Sequence, residues 1–306
     1  MLSDDVNRYI SLRRVLGYKL VKVERSLRAF AFFAIGRGDT HIRAASVLAW
    51  LETVACTPGA RARRLTDLIL FARFLHAEDS HHEIPQADAT RSQQKRPVPY
   101  IYTPDEIARI LDTAGKVRRH KSDLLRRPLY VMLFGLIAAA GLRVSEALTL
   151  RFDDIQPGGV LHIRETKFRK SRLVPLHATV IAVLEHYLRL RRRCAGESEW
   201  LFPSIQDKQL CPTTVNYAFR SVLRRAGIAP ERSRQPRVHD LRHTFATRVL
   251  EQCGVERGTV ARHFVALSTY LGHSDIRNTY WYLEATPQMM ADIAAAAEML
   301  VGESVA

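Results

Sequence analysis

The chain has 306 residues, of which 47% are hydrophobic and 25% charged, a composition typical of a folded protein rather than a disordered one. A single core seldom keeps growing to this length, so we expect two domains. The 46 Lys and Arg residues against 31 Asp and Glu give a net charge of +15, which favours a polyanionic partner. No segment is a basic amphipathic anchor with an aromatic face, so we expect nucleic acid and no membrane.

Targeting and spanning signals are absent from the sequence pattern. The start, MLSDDVNRYI, lacks the basic and then apolar pattern of a signal peptide. The longest apolar run, YVMLFGLIAAAGL, is too short to span a bilayer. The cysteines at 56, 194, 211 and 253 form no CxxC pair, which indicates free thiols in a reducing cytoplasm.

The sequence up to about residue 85 looks helical, and we predict a helical DNA-binding domain over residues 1–88. VERSLRAFAFFAIGRG repeats apolar positions at helical spacing and stops at two glycines. ARARRLTDLILFARFLHA places four arginines around an apolar stripe. A solvated face and a phosphate-contacting face fit these arginines about equally well, and we take Arg61 and Arg64 as candidate DNA contacts.

Residues 79–100 have no periodicity and end in two prolines, which predicts an interdomain linker with its basic part at 89–100. Arg91, Lys95 and Arg96 suit a strap lying along phosphates, although a flexible charged linker explains them as well.

The start of that segment, DSHHE at 79–83, offers two histidines and two flanking acids to a metal ion. Neighbouring histidines in a polar loop rarely form a closed site, and no further ligand lies at a helical spacing. We therefore expect no metal.

Residues 101–306 predict a second domain of helices with one small sheet. Thr103, Pro104 and Glu106 match a helix-capping box. RPLYVMLFGLIAAAGL is apolar nearly all round and predicts a buried helix, while GVLHIRET and SRLVPL predict an antiparallel hairpin. There is neither βαβ alternation nor a Gly-rich phosphate loop, so we expect no nucleotide cofactor.

The stretch HDLRH at 239–243 has two histidines at the spacing of a zinc site. A zinc protease helix needs a glutamate where Asp240 stands, and Arg242 would place a fixed positive charge beside the ion. His239 and Arg242 are three residues apart and share a helix face, where an imidazole and a forked guanidinium suit a phosphodiester. A helix with a surface arginine and a buried histidine is the alternative, and HxxR alone favours it.

Two further motifs favour the anion. AGLRVSEALTL puts Arg143 just after the buried helix, where it needs a partner that Glu146 can provide. TYLGHSDIRNTYWYLEA contains His273 and, nine residues later, Tyr282. Together with HDLRH, these motifs strongly resemble the tyrosine recombinase (phage integrase) family over 101–286. The first domain is similar to that family's core-binding domain in architecture alone.

The resemblance implies a role for each residue at one scissile phosphate. Arg143 and Arg242 correspond to the arginines that clamp its non-bridging oxygens, and His273 to a histidine that hydrogen-bonds it. Glu146 corresponds to the carboxylate that orients the arginine.

The proton transfers and the nucleophile are implied in the same way. Tyr282 corresponds to the nucleophile, His239 to the acceptor of its proton, and Lys167 to the donor for the departing 5′ oxygen. Tyr280 and Lys170 are the rival tyrosine and lysine. Arg169 and Lys170 are also candidate DNA contacts.

The expected fold is therefore mainly α with a small antiparallel β-sheet, in a two-domain, C-shaped clamp on duplex DNA. The expected function is site-specific DNA recombination through a 3′-phosphotyrosine, by an integrase or transposase of a mobile element. We expect neither cofactor nor metal, and a cytoplasmic, nucleoid-associated protein of a bacterium or phage.

The expected partners are duplex DNA with recombination sites and further copies of the chain, as a dimer on one site and a tetramer in synapsis. Related recombinase subunits or accessory DNA-bending proteins are possible additions. The stripe Met290, Ile293, Ala297 and Leu300 predicts a C-terminal helix. The resemblance implies that this helix passes to a neighbouring subunit, and the alternative is that it packs on its own domain. The alternatives are a type IB topoisomerase, which uses a similar site, and a non-catalytic DNA-binding regulator.

Overall fold

Two compact units make up the chain, Met1–Pro97 and Val98–Ala306. The computed structural model describes residues 1–18, 20–86, 98–117, 124–164, 171–194, 198–228, 235–252, 257–272 and 279. These residues are mostly helical and include one small antiparallel sheet, so the expected fold class is confirmed. None of the helices in these ranges has the length and apolar content that crossing a membrane requires.

The first unit is helical over its described part. Its helices are α1 (Leu2–Val15), α2 (Val21–Gly36), α3 (Ala44–Thr53) and α4 (Pro58–His76). Thr57 begins α4 by accepting a hydrogen bond from the backbone N–H of Ala60, with Pro58 in the first helical position. One apolar core joins the helices, and the rings of Phe30 and Trp50 meet edge to face inside it.

Residues 79–86 pack on this unit, so the predicted linker does not begin at residue 79. The ring of His82 is buried, and its Nδ1 accepts a hydrogen bond from the backbone N–H of Ile42. The carboxylate of Glu83 accepts hydrogen bonds from the backbone of Ala44 and from the guanidinium of Arg43. This segment lacks apolar periodicity, and side-chain hydrogen bonds attach it to the first unit instead.

The second unit places helices around a small sheet. Its elements are α5 (Pro104–Gly115), α6 (Arg126–Ala140), α7 (Val144–Leu148), a 3₁₀ turn (Phe152–Asp154), β1 (Ile155–Gln156), β2 (Val160–Ile163), β3 (Arg172–Pro175), α8 (Ala178–Cys194), α9 (Pro212–Arg225), α10 (Val238–Glu251) and α11 (Arg257–Leu271). The predicted capping box is present at α5, where Thr103 and Glu106 each bind the other's backbone. The predicted buried helix is α6, which lies within the main apolar core.

The strands form one antiparallel sheet in the order β1-β2-β3. The predicted hairpin is confirmed, and its register runs from Val160 opposite Pro175 to Ile163 opposite Arg172. The short strand β1 was not predicted from the sequence.

A glycine turn directs the chain from α6 to α7. Gly141 ends α6 with φ 60°, a left-handed conformation that side chains rarely adopt. A Cβ at this position would lie 2.4 Å from the ring of Phe245 on α10. The turn is thus confined to glycine for both reasons, and it delivers Arg143 to the start of α7.

Candidate active site

A buried carboxylate stands at the centre of the candidate site. Glu146 of α7 is 5% exposed, and its Oε1 accepts a hydrogen bond from Nη1 of Arg143 at 2.6 Å. Arg172 of β3 binds both carboxylate oxygens, through Nη1 at 3.0 Å and Nη2 at 2.8 Å. Nη1 of Arg242 on α10 lies 3.7 Å from Oε2. The structure thus gathers three guanidinium groups from three elements around Glu146, and the predicted contact between Arg143 and Glu146 is present.

The surrounding charges keep Glu146 ionised. Burial by itself would raise the pKa of this carboxyl, but the hydrogen bonds and charge of Arg172, together with Arg143, lower the pKa from 4.5 to about 2. A buried carboxylate with several hydrogen-bonded cations around it is stable only while those partners remain in place.

The same three arginines hold the C-terminal end of α11. Nε of Arg172 donates to the carbonyl oxygen of Tyr270 at 2.7 Å, Nη2 of Arg242 to Leu271 at 2.7 Å, and Nη2 of Arg143 to Gly272 at 3.0 Å. The last carbonyls of a helix lack partners within it and carry the negative end of its dipole. The guanidinium groups satisfy three consecutive carbonyls and fix the point where the chain leads on to residue 273.

Arg242 is the most deeply placed of the three. Its side chain is 1% exposed, and Nη1 also donates to the carbonyl of Gly141 at 2.7 Å. The side chain of Arg143 is 29% exposed and that of Arg172 is 11% exposed. Arg143 is accordingly the most accessible of the three to an incoming anion.

His239 lies in the first turn of α10, half-buried, with its ring 4.6 Å from that of His243. Burial and then the positive charge of Arg242 are the largest causes that lower the pKa of His239 from 6.5 to about 4. The imidazole is therefore neutral near pH 7 and can accept a proton.

The HDLRH segment does not have the arrangement of a zinc site. The carboxylate of Asp240 caps α10, accepting hydrogen bonds from the backbone N–H and from Nη2 of Arg237 at 2.8 and 2.9 Å. The alternative interpretation of HxxR was a helix with a surface arginine and a buried histidine. It is wrong for the arginine, because Arg242 is buried, although His243 in the same segment is a buried histidine.

Arg172 was not predicted from the sequence as a residue of the site. Alternation along β3 could have identified it, because Arg172 shares the face of buried Val174, whereas Leu173 between them is exposed. An arginine on the buried face of a strand needs an internal anion. That anion is Glu146, which lies 26 positions earlier in the chain.

Several predicted site residues lie outside the described residues, namely Arg91, Lys95, Arg96, Lys167, Arg169, Lys170, His273, Tyr280 and Tyr282. The predicted C-terminal helix at 287–300 lies outside them as well. Their roles remain predictions.

The candidate DNA contacts of the first unit sit on α4. Arg61 and Arg64 are half-buried, and the guanidinium of Arg64 lies 5.9 Å from the ring centroid of Trp50. Arg63 and Arg73 of the same helix are exposed. Packing thus occupies part of Arg64, and contact with DNA stays a prediction for both half-buried residues.

A cluster of metal-binding residue types lies at the end of the first unit. Asp79 accepts contacts from Nε2 of His41 at 3.1 Å and from Nδ1 of His81 at 2.7 Å. Hydrogen bonds from the backbone and ring of His81 are the main causes that lower the pKa of Asp79 to about 2. Hydrogen bonding between an ionised carboxylate and two imidazoles accounts for this geometry, and His41 was not predicted because it is 38 residues away.

Comparison with known proteins places this site within one family. Residues 101–289 match the model of the phage integrase family. The protein named "Putative integrase/recombinase y4rB" of Sinorhizobium fredii is 38% identical over 294 residues, covering 94% of each chain. The chain belongs to the phage integrase family. Arg143, Glu146, Arg172, His239 and Arg242 all lie in the matched segment.

Other comparisons agree with the family. The tyrosine recombinase XerD of Rhizobium meliloti is 28% identical over 286 residues, covering 90% of this chain and 87% of XerD. The resemblance to the tyrosine recombinases noted in the sequence is thus confirmed, and the enzyme class is that of a tyrosine-type site-specific DNA recombinase.

Solved structures support the fold. The XerH site-specific recombinase bound to a palindromic difH substrate superposes with a TM-score of 0.64 at 18% identity, covering 89% of this chain and 78% of that chain. The Tn1549 transposon integrase in complex with transposon right end DNA gives a TM-score of 0.63 at 15% identity, covering 95% of this chain and 99% of that chain.

Proposed function

We propose that this recombinase cleaves and rejoins duplex DNA at specific sites through a covalent 3′-phosphotyrosine at Tyr282, in the service of a mobile element. The observation that carries the proposal is the convergence of Arg143 and Arg242 on the carboxylate of Glu146, with His239 close enough to both arginines for their charges to lower its pKa. Their separate motifs lie far apart in the sequence, yet they share one centre within the segment that matches the family.

The arrangement suits a phosphodiester. Attack on a phosphodiester develops negative charge on its oxygens, and fixed guanidinium groups stabilise that charge without reorganising. Arg242 is anchored on two carbonyls, and Arg143 is anchored on Glu146 and Gly272 while remaining partly exposed. Two cations held this way are in position before the substrate arrives.

The proposed cleavage step conserves atoms and charge. The phenolic oxygen of Tyr282 forms a bond to phosphorus, and its proton passes to the neutral imidazole of His239. The bond between phosphorus and the 5′ oxygen breaks, the electron pair stays on that oxygen, and Lys167 protonates it. Attack by the 5′-hydroxyl of another strand reverses the step and releases Tyr282, so that no nucleotide is consumed.

The proposed partners follow from this chemistry and from the relatives. Solved relatives include a λ integrase dimer bound to a core site and a λ integrase tetramer bound to a Holliday junction. We infer a dimer of this chain on each site and a tetramer in synapsis, acting in the bacterial cytoplasm on nucleoid DNA. The net charge of +15 supports binding to a polyanion.

The test uses nicked suicide duplexes with a randomised core, from which covalently trapped DNA is recovered under denaturing conditions and sequenced. Mass spectrometry of the trapped peptide identifies the attacking residue. We expect wild type to form an adduct at Tyr282, Tyr282→Phe to bind DNA without an adduct, and Tyr280→Phe to form the adduct as wild type does.

A recovered duplex then serves in a two-site assay. Exchange of flanking DNA between two copies supports recombination, whereas relaxation of supercoils without exchange would favour a topoisomerase. An adduct at Tyr280, or none at any tyrosine, would overturn the proposed mechanism.

A further inference from the structure

We propose that Arg172 is a positioning residue of the strand-cleavage reaction, which sets Arg143 and the segment entering residue 273 through its contacts with Glu146 and the end of α11. This inference rests on the proposed function and extends it to a residue outside the family motifs that the sequence analysis used.

Among the described residues, Arg172 is the one that binds both oxygens of Glu146 with side-chain nitrogens, in the fork geometry that makes such pairs strong. Its side chain is nearly buried, so its charge serves the interior rather than an external phosphate. With both oxygens already held by Arg172, Glu146 can orient Arg143 without drawing Arg242 closer than 3.7 Å.

Arg172 also keeps Glu146 from competing with the phosphate for donors. If Arg172 lost its fork, a buried carboxylate would be left short of donors. In the part of the chain that the structure describes, the other side-chain donors near it are on Arg143 and Arg242, which the proposed function assigns to the phosphate. Glu146 and the phosphate would then compete for the same guanidinium groups, and Arg172 prevents this competition.

Arg172 also contacts the end of α11, where its Nε donates to the carbonyl oxygen of Tyr270 and its guanidinium group lies close to Gly272. A Cβ on Gly272 would lie 2.9 Å from Nη1 of Arg172, and this glycine also has φ 66°. The glycine that precedes His273 therefore has two reasons to be glycine, and one of them is Arg172.

Arg172 thus contacts two parts of the site at once. One set of contacts orients a phosphate-binding arginine, and the other fixes the chain just before His273. Mutation of residues that orient metal ligands typically costs about 10–100-fold in activity, and we expect a similar loss here, where Arg172 orients a phosphate-binding group. If Arg172 were merely structural, its removal would lower the stability of the protein and leave the cleavage rate of the folded protein unchanged.

The experiment measures adduct formation in a single turnover on a suicide duplex recovered as above, with DNA affinity and thermal unfolding measured in parallel. We expect Arg172→Met to slow adduct formation about 10–100-fold with DNA affinity retained. Arg172→Lys keeps the charge without the fork and should fall between Arg172→Met and wild type. Arg151→Met, which removes an exposed pair with Glu199 in the same unit, is the matched control with an unchanged rate.

A pH profile separates positioning from folding. Of the described residues, the charged groups that face Glu146 are Arg143 at the start of α7, Arg172 on β3 and Arg242 on α10. Loss of Arg172 raises the pKa of Glu146, so a neutral carboxyl replaces the anion at milder acidity. The acid limb of the cleavage rate should therefore lie at higher pH in Arg172→Met than in wild type.

A double-variant cycle tests the contact with Gly272. Gly272→Ala should cost less in the Arg172→Met background than in wild type, because the backbone strain is common to both and the collision with Nη1 is not. Equal costs in the two backgrounds would contradict the proposed role of the contact between Arg172 and Gly272.

The inference is overturned if Arg172→Met, still folded, forms the adduct as fast as wild type or keeps the acid limb of wild type. If wild type itself forms no adduct at residue 282, the proposed function and this inference fall together. If that adduct forms and only the Arg172 variants behave as wild type, this inference alone falls.

Discussion

Among the described residues, arginine side chains that are almost completely buried lie in the second unit and not in the first. In the first unit, Arg28 and Arg43 are about half exposed and pair with carboxylates at the surface. In the second unit, Arg191 and Arg242 are each 1% exposed and donate to backbone carbonyls. Exposed pairs contribute little because water and salt screen them, whereas a buried guanidinium is held by hydrogen bonds that nothing else can replace. Arginine therefore contributes to the net charge of +15 in two different settings, as exposed pairs at the surface and as buried donors to backbone carbonyls.

The buried arginines of the second unit themselves divide into two. Arg191 on α8 donates to the carbonyls of Ser198 and Trp200 and packs over the ring of Phe152. Arg242 makes the same kind of contact, with the carbonyls of Gly141 and Leu271, but beside Glu146. Burial alone therefore does not distinguish a structural arginine from an arginine of the candidate site. The difference is that Arg242 lies beside other charged side chains.

The largest expected effect comes from replacing these two residues in parallel. Arg242→Met and Arg191→Met should each lower the free energy of unfolding by about 2–5 kcal/mol, because carbonyls and a buried network lose their donor. Arg242→Met should also slow adduct formation about 10²–10³-fold, as expected when a preorganised donor to a developing anion is lost. Urea denaturation and single-turnover cleavage on the recovered suicide duplex measure both quantities.

The control in that pair is Arg191→Met. At a temperature where both variants are folded, it should cleave at the rate of wild type. Equal rates for the two variants would mean that both buried arginines matter only for folding, and would contradict the distinction between a structural Arg191 and an Arg242 of the candidate site.

Local spacing explains how much of the site was predictable. Arg143 with Glu146, and His239 with Arg242, are pairs three residues apart, and a helix brings such pairs to one face whatever the rest of the chain does. The contacts of Arg172 span 26 residues to Glu146 and 98 to Tyr270, so only the folded hairpin reveals them. The fold followed the same rule. Periodicity predicted helices such as α2, α4 and α6 and also the hairpin, but α7 and α11 were not predicted. Strand β1, which has two residues, is too short to show any periodicity.

A smaller effect, and one that sharpens the comparison, concerns the titration of His239. Its pKa in the folded protein is lowered to about 4, below the ordinary 6.5, so the unfolded chain takes up this proton first as the pH falls. The stability of wild type should therefore decline relative to His239→Gln between about pH 6.5 and pH 4, by about 1–3 kcal/mol in total. Urea denaturation of both proteins across that range measures the difference.

The same histidine should respond to an anion at the site. In the complex of Tyr282→Phe with the suicide duplex, the phosphate adds a negative charge beside the imidazole, so its pKa should rise. Imidazole ¹⁵N shifts follow the titration in the free and bound protein. A stability difference that does not vary with pH would contradict the lowered pKa of His239. A pKa that does not change on binding would argue against His239 facing the phosphate.

The smallest expected effect belongs to the first unit. Arg43→Met removes an exposed pair with Glu83, whose carboxylate keeps its hydrogen bond from the backbone of Ala44. The free energy of unfolding should change by less than about 1 kcal/mol, and adduct formation should not change. A loss as large as that of Arg242→Met would mean that Arg43 and Glu83 hold residues 79–86 on the first unit, and exposure would then be a poor guide to which arginines of this recombinase matter. A small loss that vanishes in high salt is the signature of a screened surface pair.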